Sequence, residues 1–224
     1  MERILHRMLA VLAVVALAAA AGVLGRPPGT IAGPPDTTAI TEAQRAAGPR
    51  FAAEVAPGDR AWMVASIDAA RPEAQRLIAE IDGLIEFRTH AGDPLGVTRS
   101  SIGLDSAGFA IDVDIAALNG RRVQDRDITM LHELGHAVDL ALVPAATNAV
   151  LESGIPRSGT CDDSGTGLVG SCAAPQERFA DTFAKWALRG KVSAIGAGYQ
   201  VATPPSLEQW GAPLVALAGG LSPR

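Results

Sequence analysis

The stretch of this chain richest in chemistry is Thr129–Asp139, TMLHELGHAVD. His132 and His136 stand four residues apart, so on a helix their side chains lie about 40° from each other and can converge on one ion. Glu133 is rotated by about 100° from His132, which puts its carboxylate beside such an ion rather than in line with the imidazoles. Two neutral imidazoles that hold Zn²⁺, with a carboxylate that does not bind the metal but takes a proton from its water, make the apparatus of metal-assisted hydrolysis. Gly135 is read as lying on the same helical face and keeping the surface between the two imidazoles low. Histidine is scarce: of the four in the chain, His6 lies in an N-terminal apolar segment and only His90 remains besides this pair.

That scarcity bears on the third ligand. An all-histidine set needs Gly at 139 and His at 142, and the chain has Asp139 and Leu142. His90 comes from far upstream, so a carboxylate is expected. In PQERFADTFAKWAL, Glu177 and Asp181 are four apart on one helical face, while Phe179, Phe183 and Trp186 cluster on the other. Two carboxylates at that spacing repel unless a cation or an imidazole N–H offsets them. Glu177 as ligand and Asp181 as acceptor for a ligand histidine's second nitrogen would do both. Asp139 is the competing ligand. It lies one turn beyond His136 on a short side chain, so a supporting or structural role suits it better.

Elements must carry these groups. A helix is expected from a cap at Asp125 or Asp127 to about Leu142, ended by Pro144, and a second from Gln176 to Leu188, stopped by Gly190. Between them Ala145–Ala174 reads as a long irregular connection. Upstream, AWMVASIDAA and PEAQRLIAEID read as helices, the second begun by Pro72 and closed by Gly83. Leu84–Thr89, Gly96–Leu104 and Phe109–Ile115 alternate like strands, with Gly and Asp between them, and predict a small antiparallel sheet. Pro204 and Pro205 precede a last amphipathic stretch, SLEQWGAPLVALA. The fold class expected is α+β.

The ends of the chain read differently. Arg3 and Arg7 precede the apolar run Met8–Leu24, which closes on Ala-x-Ala options, the layout of a secretory signal. At 17 residues the run is also near the lower limit for a membrane anchor. Residues 1–25 are thus expected to be a signal peptide or N-terminal anchor, 26–59 a Pro/Gly-rich linker or arm, with a propeptide as the functional alternative, and 60–224 the working domain. The expected location is secreted or cell-envelope, with membrane contact only through that first segment. Cys161 and Cys172 are the only cysteines. In an exported chain they are expected to form a disulfide, worth roughly 3 kcal/mol by loop closure. Removing Glu2, Arg3 and Arg7 from totals of 24 acidic and 19 basic residues leaves a net charge near −6, and there is no basic stripe with interleaved aromatics, so nucleic acid is not an expected partner.

HELGHAVD, followed about forty residues later by E-x-F-A-D-x-F in register with Glu177-Arg178-Phe179, resembles the zincin metallopeptidases of the gluzincin type. The likeness is greatest to the catalytic domain of the anthrax lethal factor-like family, over roughly Leu84–Leu188. The resemblance implies a zincin-like fold and one Zn²⁺ per chain on His132, His136 and Glu177. It also implies Glu133 as general base, Asp181 in support, and a peptide or protein substrate. It further implies an antiparallel edge strand, here Phe109–Ile115, that pairs with extended substrate backbone. The family places a tyrosine shortly before the glutamate helix to stabilise the oxyanion. Gly170–Ala174 offers none, and Tyr199, the only tyrosine, comes after that helix as a substitute, with His90 and Arg178 as further candidates. The reading is therefore a secreted zinc metallopeptidase. Its rivals are a catalytically silent zinc-binding envelope protein and a zinc amidase acting on cell-wall amide bonds.

Overall fold

Proline does much of the work of starting helices in this chain. The computed structural model describes residues 48–91, 101–105, 108–115, 123–157, 170–191 and 201–221. Among them are seven helices: α1 (Pro57–Asp68), α2 (Pro72–Ile81), α3 (Val123–Leu142), α4 (Ala145–Ser153), α5 (Pro175–Ala187), α6 (Leu207–Trp210) and α7 (Ala212–Gly220). Four of these, α1, α2, α5 and α7, carry proline in the first two positions, where its missing N–H would have had no partner and its fixed φ suits the helix. Pro144 stands at the N-cap of α4. Among the helices whose N-caps are described, α6 alone shows a side-chain cap, with Ser206 Oγ accepting from the Gln209 N–H at 3.2 Å.

Four strands, β1 (Arg50–Phe51), β2 (Ile85–His90), β3 (Ser101–Asp105) and β4 (Gly108–Asp114), form one sheet in the order β1-β2-β4-β3. β2 and β4 turn Ile85, Phe87, Phe109, Ile111 and Val113 inward and leave Glu86, Arg88 and Asp112 on the other face. The expected antiparallel sheet is corrected here. β1 and β4 both run parallel to β2, with Ile85 level with Phe109 and His90 with Asp114, and only the β3–β4 pair is antiparallel. Two residues join β3 to β4, which forces a hairpin, whereas the longer link after β2 leaves its direction free. β4, with three fully buried apolar side chains, takes the central place, and β3 is left at the edge. Phe109–Ile115 is therefore not the edge strand. Gly108 opens β4 at φ +135°, where a Cβ would lie 2.3 Å from the Leu84 carbonyl oxygen, so no other residue fits that turn without moving β2.

Three boundaries also differ from expectation. The fold reaches back into the supposed 26–59 arm: Arg50–Phe51 pairs with β2, Ala52 N–H donates to Phe87 O at 2.9 Å, and Val55 is buried. α3 begins before either expected cap, and Asp127 instead accepts a hydrogen bond from Ser66 Oγ at 2.7 Å. The stretch read as irregular contains α4, whose weak periodicity, with only Leu151 buried, hid it. Residues 1–25 lie outside the described residues. Among the described residues no helix is long and apolar enough to cross a membrane.

The inward faces of the sheet, α2, α3 and α5 join one hydrophobic cluster. α2 contributes Ala74, Leu77, Ile78 and Ile81, the helical i, i+3, i+4, i+7 stripe. α5 is buried from Arg178 through Ala187, and its aromatics form a chain, with Phe179–Phe183 centroids 6.2 Å apart and Phe183–Trp186 5.6 Å. The C-terminal helices close over this row. Trp210 Nε1 donates to Leu151 O at 2.9 Å, and the Arg71 guanidinium holds Glu208 through two hydrogen bonds while it lies 4.7 Å over the Trp186 ring. Gly211 rests directly on that indole, since a Cβ there would be 1.9 Å from Trp186 Nε1. Gly211→Ala should therefore cost about 2–3 kcal/mol in urea unfolding through overpacking. Gly219→Ala, at a helical position with nothing within 4 Å, should be neutral or stabilising by up to about 1 kcal/mol. Equal stabilities for the two variants would contradict this packing.

Candidate metal centre

His132, Glu133 and His136 occupy the middle of α3, each 6 % exposed. Their helix is held in place by the apolar residues around them, with Met130, Leu131, Leu134, Ala137 and Val138 all buried. Glu177 sits in the first turn of α5, where the partial positive charge of the helix N-terminus favours a carboxylate. α3 and α5 meet at Gly135. A Cβ on Gly135 would be 3.1 Å from Ala180 Cα and 3.1 Å from Phe183 Cδ1. The glycine thus faces α5, about 60° round the helix from His132, and its use is to admit the second helix rather than to lower the surface between the imidazoles.

That approach brings three heads together. Glu177 Oε2 is 3.1 Å from His132 Nε2 and 3.2 Å from His136 Nε2, and the two Nε2 atoms are 3.2 Å apart. The rings themselves meet edge to face, at 87°. Each ring nitrogen carries at most one hydrogen, so three mutual contacts of this length cannot all be satisfied by N–H donors aimed into one point. A tetrahedral zinc bound at about 2.0–2.1 Å separates its ligand atoms by about 3.3–3.4 Å, close to the triangle seen. Two imidazole nitrogens and one carboxylate oxygen are also the donor types of a catalytic zinc site that keeps its fourth position open. Among the described residues, His132, His136 and Glu177 are the group able to hold a metal ion.

Electrostatics agree with a cation-seeking site. Burial on its own would depress the His132 pKa, but the hydrogen bond to Glu177 and the negative charges of Glu133, Glu177 and Asp181 outweigh it, so positive charge is favoured there. Burial would raise Glu177, yet hydrogen bonds from His132 and His136 hold it far below the usual carboxylate range. A metal would therefore displace a proton from His132 and take over the role of counter-charge. Burial pushes Glu133 up, against the pull of both histidines. A carboxylate raised in this way, with no hydrogen-bond partner among the described residues, is suited to accept a proton.

The remaining candidates fall elsewhere. Asp181, 2 % exposed, accepts a hydrogen bond from Lys185 Nζ at 2.6 Å, and its charge acts on His132 through space. Asp139 accepts from Asn148 Nδ2 at 2.6 Å and stays outside the ligand triangle. Arg178 turns away, donating to Glu152 Oε1 at 2.7 Å and to Ile155 O at 3.1 Å, so it is a structural cation of α4 and α5 and no oxyanion group. His90 Nδ1 lies 2.7 Å from Asp112 Oδ1 at the end of β2, apart from the triangle. Tyr199 and Cys161 lie outside the described residues. Two partners escaped the sequence reading. Lys185, four residues after Asp181, was legible as an ion pair from spacing alone, whereas Asn148 was not, because its helix went unrecognised.

The glycine contact yields a direct test. Gly135→Ala must push α5 away by a few tenths of an ångström, at about 1–3 kcal/mol of overpacking against about 1 kcal/mol gained in helix propensity. Zinc affinity, measured by competition with a chelator, should fall about tenfold as Glu177 is displaced. An unchanged affinity would show that helix spacing does not govern the ligand set. Compared with known proteins, the chain is matched by no family model, no curated protein and no solved structure.

Proposed function

We propose that this chain is a zinc-dependent hydrolase, and that its reaction is the cleavage of peptide bonds. The observation that carries the reading is the convergence of His132, His136 and Glu177 within 3.2 Å of one another, with the buried Glu133 next to His132 on the same helix. In this scheme His132, His136 and Glu177 would hold one Zn²⁺, which would supply Lewis acidity and make water more acidic. Glu133 would take a proton from the attacking water and return it to the leaving amine. Outside the triangle, Asp181 adds negative charge near His132, and Asp139 ties α3 to α4 through Asn148.

The zincin reading draws support from the arrangement around α3. An antiparallel strand, β3, lies at the edge of a sheet whose other pairs are parallel, and it contacts the metal-binding helix. An edge strand presents unpaired backbone groups to which an extended peptide can add. Export and the oxyanion group remain parts of the proposal that rest on sequence alone, whereas the proposed Cys161–Cys172 disulfide draws support from a disulfide-bonded Cys172. Tyr199 is kept as the candidate for the oxyanion group. The amidase reading shares every metal-site residue and differs only in the bond cut. Parallel digests of a peptide library and of cell-wall material separate the two.

Replacing Glu133 by Gln tests the catalytic claim against a purely structural metal. Hydrolysis should drop at least about a hundredfold, while about one zinc per chain stays bound. A variant that cleaves as well as the parent would remove Glu133 from the mechanism. A parent that hydrolyses nothing and unfolds on chelation would make the metal a staple between helices.

A further inference from the structure

Lys185 is 8 % exposed, and the hydrolytic scheme gives it no task. An ammonium is costly to bury unless it is paired and hydrogen-bonded. Its Nζ donates to Asp181 Oδ2 at 2.6 Å and also to the backbone carbonyl of Val201, a buried residue that begins the C-terminal described segment. Glu177, Asp181 and Lys185 follow one another at i, i+4 intervals, so they climb one side of α5 with the metal-facing carboxylate at its start. Asp181 stands one turn from Glu177 and is close enough for its charge to act on His132. Released, it would be a second carboxylate drawn toward the same cation.

We propose that Lys185 is a positioning residue of the metal centre: by binding Asp181 and the Val201 carbonyl together, it keeps Asp181 out of the ligand set as a fixed negative charge near His132. The proposal rests on the metal-centre reading above. It assigns the buried lysine a part in metal choice. With Asp181 restrained, the site offers two nitrogens and one oxygen, a set that suits zinc; a further carboxylate would shift it toward oxygen-preferring ions such as Mn²⁺.

The test compares the full chain with Lys185→Met, which keeps length and removes charge, and with Asp181→Asn combined with Lys185→Met, which removes both charges and avoids an unpaired buried carboxylate. Dissociation constants for Zn²⁺ and Mn²⁺ are measured by chelator competition, alongside the Tm of the metal-free proteins. Lys185→Met should lower the preference for zinc over manganese at least about tenfold. The double variant should keep the parent's preference but bind zinc about tenfold more weakly, since the charge near His132 is gone. A lysine that only stabilises the fold would lower Tm and leave both constants within twofold of the parent, and that result overturns the proposal. Should the single variant not fold, zinc binding by the double variant within twofold of the parent overturns it equally. A parent that binds no zinc defeats this inference together with the hydrolase reading, whereas a zinc-binding, hydrolytic parent with unaffected variants defeats this inference alone.

Discussion

The close contact of α3 with α5 at Gly135 and Ala180 is the constraint from which the rest of the site follows. His132 and His136 share a helix, so their relative placement is set by covalent geometry and the helical repeat. Glu177 has no such guarantee. It is more than forty residues away, and a glutamate side chain reaches only a few ångströms, so an error of about 1 Å in helix spacing would take its oxygen out of the ligand triangle. Without room for a Cβ between the helices, the spacing is as small as two helices allow at that point. The aromatic row of α5 and the indoles of Trp186 and Trp210 then fill the far side, and the C-terminal helices seal it through Arg71 and Glu208.

Burial gives that geometry its chemical meaning. Water is largely excluded from both imidazoles, and Glu177 is only partly exposed, with 23 % of its side chain accessible. In such surroundings a charge without a partner is expensive, and a cation that three ligands share relieves repulsion among Glu133, Glu177 and Asp181 at once. Lys185 contributes to the same balance from the opposite side, so Glu133, Glu177 and Asp181 form no solvated acidic face. They are buried groups whose charges are answered by neighbours, and this distinguishes the centre from an exposed acidic cluster.

Legibility from sequence followed how local each feature was. The His132–Glu133–His136 group was readable because one helix suffices to assemble it. Glu177 was reachable by elimination, since so few histidines were left and the acid–aromatic split of its segment was plain. Strand direction was not, because alternation reports which face is buried and says nothing about which neighbour a strand chooses; the burial of β4 decided that in three dimensions. The role of Gly135 was misassigned for the same reason, as its partner, Ala180, comes from a distant element. α4 and the sheet pairing of Arg50–Phe51 were missed because their apolar residues are too few to show a period, and tertiary contacts complete them.

Zinc-edge X-ray absorption on the purified, zinc-loaded full chain measures the ligand set itself. Two imidazoles and one or two oxygen atoms at about 2.0–2.1 Å, at one zinc per chain, are the result this account requires. A sulfur shell near 2.3 Å, or a shell of oxygens without imidazole scattering, would place the metal elsewhere and contradict it.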